Sequence, residues 1–273
     1  MRCIAHRGFA GLYPENTLVA VRQAAPQADL IEIDVRRCGS GELVVYHDET
    51  VDRLTDSTGR VNELSADELA ALDVAGSGEG VPTLPSILEA VPADVGFDLE
   101  LKGSGLIGDV RDLVAGVDNE VWLSSFDVEV VATASEETDL PTVLIVDDSA
   151  EAGIERAAGL SCSGLAPHWR LVDFALLERA HRADLAVYPW TVNDVDRAET
   201  IRQPVSESGT ATVCGHYSRA RFCRSLILAV ISAVAVMMTN TTWTCRTIVR
   251  SIPPRTTSST AGTAAPNART GSR

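Results

Sequence analysis

The sequence predicts an α/β protein built on a mainly parallel sheet, and three observations carry that expectation. Short apolar runs alternate with amphipathic stretches of helical length from the first residues to about residue 191. The chain has 273 residues, and a single (β/α)₈ barrel takes about 250. Hydrophobic residues make up 45% of it, enough to cover both faces of a sheet with helices and to exclude disorder of the whole chain.

Taken in order, the first strand falls at 2–6 and is followed by an amphipathic helix at 17–25. A second strand at 30–35 leads through Gly39-Ser40-Gly41 to a run at 43–46. That turn is too short for a crossover, so 43–46 is expected as a local antiparallel hairpin strand. Strands at 95–101, 121–124, 142–146, 164–166 and 186–191 then alternate with helices at 109–115, 128–135, 150–158 and 173–180. Without the hairpin strand this gives seven parallel strands, and a closed barrel would need one more.

The remainder of the chain offers no convincing eighth strand. Residues 1–200 carry 37 acidic and 14 basic residues, whereas 201–273 carry 1 and 9. Serine and threonine supply 21 residues of that tail, so it is expected as a separate, poorly ordered segment. The abrupt change fits a shifted reading frame near 201–205. Its one strong apolar run, 226–238, is shorter than the roughly 20 residues a membrane span requires; a tether there is an alternative, not the expectation.

Charge narrows the function. A net charge of −15 repels the phosphates of nucleic acid, so DNA and RNA are excluded as partners. The acidic surface holds a single lysine, Lys102, a balance expected of a protein adapted to salt. Six cysteines form no C-x-x-C pair, arguing against structural zinc. Met1-Arg2 runs directly into the first strand, which reads as cytoplasmic.

Polar residues collect at strand ends. His6-Arg7-Gly8 closes the first strand and His47-Asp48 the hairpin strand, while Glu32 and Asp34 share one strand face. Glu100-Leu101-Lys102 repeats the spacing one parallel strand later. Singly, each has an ordinary reading as a cap, a solvated strand face or a surface ion pair. Together, at the carboxyl ends of early strands, they mark a site. Three oxygen donors from Glu32, Asp34 and Glu100 suit Ca²⁺ or Mg²⁺. His6 and His47 supply an acid and a base, and Arg7 and Lys102 bind an anion. Phosphodiester cleavage uses all of these at once.

With Pro14-Glu15-Asn16-Thr17, Arg53-Leu54-Thr55, Gly59, Pro82-Thr83-Leu84, Ser125-Phe126 and Trp190-Thr191-Val192-Asn193 in the same order, residues 2 to about 200 resemble the glycerophosphodiester phosphodiesterase family. The resemblance implies a TIM barrel over 1–200, lacking a recognisable last βα unit, with 201–273 as the atypical tail. It implies hydrolysis of glycerophosphodiesters to glycerol 3-phosphate and an alcohol with a divalent cation. His6 and His47 would be the acid–base pair, Glu32, Asp34 and Glu100 the metal ligands, and Arg7 and Lys102 the phosphate contacts. A neighbouring glycerol hydroxyl would attack phosphorus, giving a cyclic phosphate that water opens. Trp190 would line the glycerol side, or serve as a core tryptophan. Two alternatives stand beside this: a catalytically impaired remnant, and a nicotinamide-dependent oxidoreductase using the G-x-G-x-x-G run Gly103–Gly108.

Overall fold

A computed structural model describes residues 2–193 and the strand Gly215–Tyr217. Its sheet is the one expected. Strands β1 (Cys3–His6), β2 (Leu30–Arg37), β4 (Gly96–Leu101), β5 (Val121–Ser125), β6 (Thr142–Val146), β7 (Gly164–Pro167) and β8 (Ala186–Val187) pair in parallel and curl around a common interior. The hairpin strand β3 (Leu43–Val45) runs antiparallel to β2, with Val35 opposite Val45.

Helices α1 (Leu18–Ala24), α3 (Leu84–Ala90), α4 (Ile107–Val114), α5 (Val128–Glu137), α6 (Ala150–Gly159) and α7 (Phe174–Arg182) provide the crossovers. Most start on a side-chain cap: Thr17, Thr83, Asp127, Ser149 and Asp173 each accept a bond from the first helical turn.

Two findings differ from the sequence expectation. The tail supplies a strand after all: β9 (Gly215–Tyr217) pairs in parallel with β1, Cys3 facing Gly215 and Ala5 facing Tyr217. An unpaired β1 edge would leave its backbone donors and acceptors without partners, but three residues carry too little periodicity to announce a strand. Among the described residues β8 and β9 are not paired with each other. The last expected strand, 186–191, is regular only over Ala186–Val187 and then continues as one bridge between His168 and Trp190. Pro189 between them cannot donate to a ladder.

Residues 46–83 form a cap with its own core of Tyr46, Val51, Val61, Leu69, Val74 and Val81. Its helix α2 (Ala66–Ala70) was not legible in the sequence; it is held by a capping box between Ser65 and Glu68. The main sheet has two faces with different fates. Ile31, Ile33, Val35, Phe97, Leu99 and Leu101 pack outward under the helices. Ile4, Leu30, Trp122, Val143, Ile145, Ala166 and Tyr188 fill the interior. Strand alternation therefore aims Glu32, Asp34, Asp98 and Glu100 inward with Leu30, above an apolar floor. The apolar run 226–238 lies outside the described residues, among which no helix is long and apolar enough to cross a membrane.

Candidate active site

Register alone assembles the centre. His6 stands opposite Glu32, and Asp34 opposite Glu100. Glu32, Asp34 and Glu100 are all buried, and one carboxylate oxygen from each lies within 4.8 Å of the others. The sequence-expected ligands thus meet.

The loop after β1 turns back through left-handed conformations at Arg7, Gly8 and Phe9. A side chain at Gly8 would meet Ala20 at 2.8 Å, so only glycine lets the loop close onto α1. This turn lets the Arg7 amide donate to Glu32 Oε2 at 2.9 Å and sets the Arg7 guanidinium 3.0 Å from Asp34 Oδ2. Lys102 Nζ lies 2.7 Å from Asp34 Oδ1 and also pairs with Glu100. Both cations expected to contact phosphate are therefore engaged with the carboxylates. His6 Nε2 is 3.8 Å from Glu32 Oε2, and His47 Nδ1 pairs with Asp48 Oδ1 at 2.6 Å.

Several working residues were quoted within motifs or passed over, with no role assigned. Glu15 pairs with Arg7 at 2.9 Å and with Arg53 at 2.7 Å. Arg53 Nε donates to Asp48 at 2.5 Å. A continuous charge chain thus joins Arg7, Glu15, Arg53, Asp48 and His47. Asn16 Nδ2 donates to Asp34 Oδ2 at 2.8 Å, and Thr17 caps α1. The Pro-Glu-Asn-Thr run is accounted for residue by residue: Pro14 offers its carbonyl to the Thr17 hydroxyl, Glu15 is the charge link, Asn16 the carboxylate partner and Thr17 the helix cap. Asp98, one register step below Glu100 on the same face, accepts from Ser124 Oγ at 2.7 Å; its D-x-E spacing with Glu100 was the available signal.

Across the mouth the lining changes. Trp190 donates its indole N–H to the Ala166 carbonyl at 2.9 Å. Its ring stands edge-on to Phe126 and His168, centroids 5.2 and 5.1 Å apart. Trp190 is half-buried and Phe126 is exposed, so these rings form an apolar rim above the core.

The electrostatics ask for a cation. Burial, reinforced by the charges of Asp34 and Glu100, holds the Glu32 carboxyl well above the usual range. Burial and Asp34 push Glu100 up to about 7, against the pull of Lys102. Burial resists ionisation of Asp34 too, but Lys102, Arg7 and His47 outweigh it and hold Asp34 well below its ordinary value. Burial also lowers His47, with Asp34 opposing. One carboxylate is fully compensated and two are not. Glu32 Oε1 is buried without a hydrogen-bond partner among the described residues, an atom placed to bind a ligand the side chains do not provide. Three convergent hard oxygens fit a divalent cation.

The Gly103–Gly108 run does not behave as a dinucleotide loop. At Gly108, where the fingerprint calls for close helix packing, an added Cβ meets nothing within 4 Å, and Gly103 sits in extended backbone that any residue adopts rather than in a tight turn.

Three convergent carboxylates that could hold a cation, together with two imidazoles at the ends of barrel strands, point toward barrel hydrolases of phosphate esters. Residues 6–206 match the Glycerophosphoryl diester phosphodiesterase family, and the chain belongs to it: it is a phosphoric diester hydrolase of a metal-dependent family. A glycerophosphodiester phosphodiesterase of Caldanaerobacter subterraneus subsp. tengcongensis is 30% identical over 225 residues, 74% of this chain and 88% of that one. YhdW of Bacillus subtilis is 42% identical over 111 residues, 38% of this chain and 45% of that protein. An Oleispira antarctica phosphodiesterase, solved in complex with the product sn-glycerol-3-phosphate, superposes with a TM-score of 0.74 at 27% identity, covering 83% of this chain and 96% of that one.

Proposed function

We propose that the protein hydrolyses glycerophosphodiesters to glycerol 3-phosphate and an alcohol, with His6 and His47 as the acid–base pair. The observation that carries this reading is His6 standing 3.8 Å from Glu32 and His47 close enough to Asp34 for their charges to interact, with Arg7 and Lys102 paired to the same cluster. The similar Oleispira enzyme, described with sn-glycerol-3-phosphate as its product, supports the substrate class.

Glu32, Asp34 and Glu100 would hold a Ca²⁺ or Mg²⁺ ion, which when bound offsets negative charge on the phosphoryl oxygens. With the carboxylates so neutralised, Lys102 and Arg7 can turn donors toward a substrate phosphate, Arg7 in the bidentate manner of a guanidinium. Asp48 holds the Nδ1 side of His47, leaving Nε2 as its proton-handling atom. One histidine takes the proton from a glycerol hydroxyl as that oxygen attacks phosphorus. The other delivers a proton to the alcohol oxygen as its bond to phosphorus breaks. Water then opens the cyclic phosphate with the two roles exchanged. Trp190 and Phe126 pack against the glycerol carbons.

The test is release of glycerol 3-phosphate from glycerophosphocholine in molar salt, which the acidic surface suits, with Ca²⁺ or Mg²⁺ and then with chelator. Turnover that the chelator stops supports the reading. Turnover that persists in chelator, or no turnover with either ion, overturns it.

A further inference from the structure

Beside the carboxylate cluster lies a second, cationic cavity of about 330 Å³, lined among others by Arg36, Arg37, Arg60, Lys102, Asn62 and Glu49. Its position follows from strand alternation. On β2 the inward face runs Glu32, Asp34, Arg36; on β4 it runs Asp98, Glu100, with Lys102 next in alternation just past the strand end. The register that sets Asp34 against Glu100 therefore places a layer of cations directly above the layer of acids. In a region with 37 acidic and 14 basic residues, three arginines and the sole lysine share one hollow with a single carboxylate.

The cations are not equally committed. Arg60 is held by Glu49 at 3.0 Å, and Arg37 by Asp109 and the Gly105 carbonyl, each at 2.6 Å. Arg36 uses only Nε, donating to the His47 carbonyl at 2.9 Å; its two terminal nitrogens make no bond among the described residues. The glycines of the Gly103–Gly108 run supply part of the wall. At Gly103 and Gly105 an added Cβ would meet nothing within 4 Å, so the backbone is open to a ligand. Lys102 belongs to both the cluster and this cavity, so the cavity adjoins the carboxylate cluster. The apolar Phe126–Trp190 rim lies on the opposite strands and suits glycerol carbons.

We propose that this cavity binds a second phosphate carried by the alcohol half of the substrate, so that the preferred substrates are glycerophosphodiesters with a phosphorylated head group. A phosphate there takes forked bonds from the Arg36 terminal nitrogens and charge from Arg60. The inference rests on the glycerophosphodiester reading above, and its failure is separable from failure of that reading.

The experiment compares glycerophosphoinositol 4-phosphate with glycerophosphoinositol, which differ only by that phosphate, and includes glycerophosphocholine. The wild-type chain is expected to show at least a tenfold higher kcat/KM for the phosphorylated member. Arg36→Gln and Arg60→Gln bring the ratio toward one, and added salt lowers it. Using the ratio removes any general loss that reaches His47 through its carbonyl. Titration calorimetry of the same two ligands reads the preference as a Kd ratio even in a chain without turnover. Equal kcat/KM and equal Kd for the two inositol compounds overturn the proposal, while turnover of glycerophosphocholine keeps the catalytic reading standing. A preference that survives both substitutions also overturns it.

Discussion

The two sides of the barrel mouth are built from opposite chemistry. On β1, β2 and β4 the inward positions end in His6, Glu32, Asp34, Asp98 and Glu100, tied by Arg7, Lys102 and Asn16. On β5 to β7 the inward positions are Trp122, Val143, Ile145 and Ala166, with Ser124 the polar exception that reaches across to Asp98; Tyr188 just past β8, Phe126 and Trp190 complete that side. The clustered carboxylates rest on the two longest strands, eight residues in β2 and six in β4, while β1, which carries His6, has four and β8 has two. Catalytic charge needs fixed geometry, and long paired strands give it; a surface that only packs against carbon tolerates shorter ones.

That contrast can be broken most severely at its centre. Glu100→Gln removes one of the three clustered carboxylates and one of the two partners of Lys102, and is expected to lower kcat by about a thousandfold or more, measured as glycerol 3-phosphate release. His47→Ala follows, with a loss of about 10² to 10⁴ from absent proton transfer. Asp48→Asn keeps the imidazole but weakens its hold, so a drop of about tenfold with a displaced pH profile is expected. If Asp48→Asn equals His47→Ala in every respect, Asp48 does more than orient the ring.

Acidity sharpens the same comparison. Without a bound cation, burial and Asp34 push the Glu100 carboxyl up to about 7 from its ordinary 4.5. Between those values the folded state keeps a proton that the unfolded chain has released, so stability falls as pH rises through that window. Glu32 acts in the same direction, while His47, held below its ordinary value, opposes the two carboxyls over the same range. Asp34, held low, contributes only below its ordinary 3.8. Thermal melts of chelator-treated protein are therefore expected to give a lower Tm at about pH 8 than at about pH 5. A divalent cation takes the place of the proton, so its stabilisation is larger at the higher pH. A Tm that rises over this range in chelator contradicts the charge balance described.

The smallest effect belongs to the apolar side. Phe126→Ala is expected to raise KM a few-fold with kcat nearly unchanged, since an exposed ring contributes packing rather than chemistry.

How much was legible in the sequence follows the same division. Glu32, Asp34, Glu100, His6 and His47 could be found because strand period and strand order bring them together without knowledge of loops. Glu15, Asn16 and Arg53 could not be assigned roles from spacing, because their partners lie across turns: Glu15 reaches Arg53 38 positions away. Asp98 shared the spacing rule and was readable. The strand Gly215–Tyr217 was not, since three residues after a change of composition have no period; only the β1 edge determines their pairing. The helix Ala66–Ala70 was hidden for a related reason, being one turn and a half fixed by its Ser65–Glu68 cap rather than by an apolar stripe.

The central claim is that Glu32, Asp34 and Glu100 form one cation site that the side chains alone leave undercharged. Titration calorimetry with Ca²⁺ and Mg²⁺ tests it directly, using the wild-type chain and the Glu32→Gln, Asp34→Asn and Glu100→Gln variants. One ion per chain is expected to bind, more weakly as pH falls below about 7, and to be lost in each variant while the fold, followed by circular dichroism, persists. Unchanged ion binding in all three folded variants would contradict it.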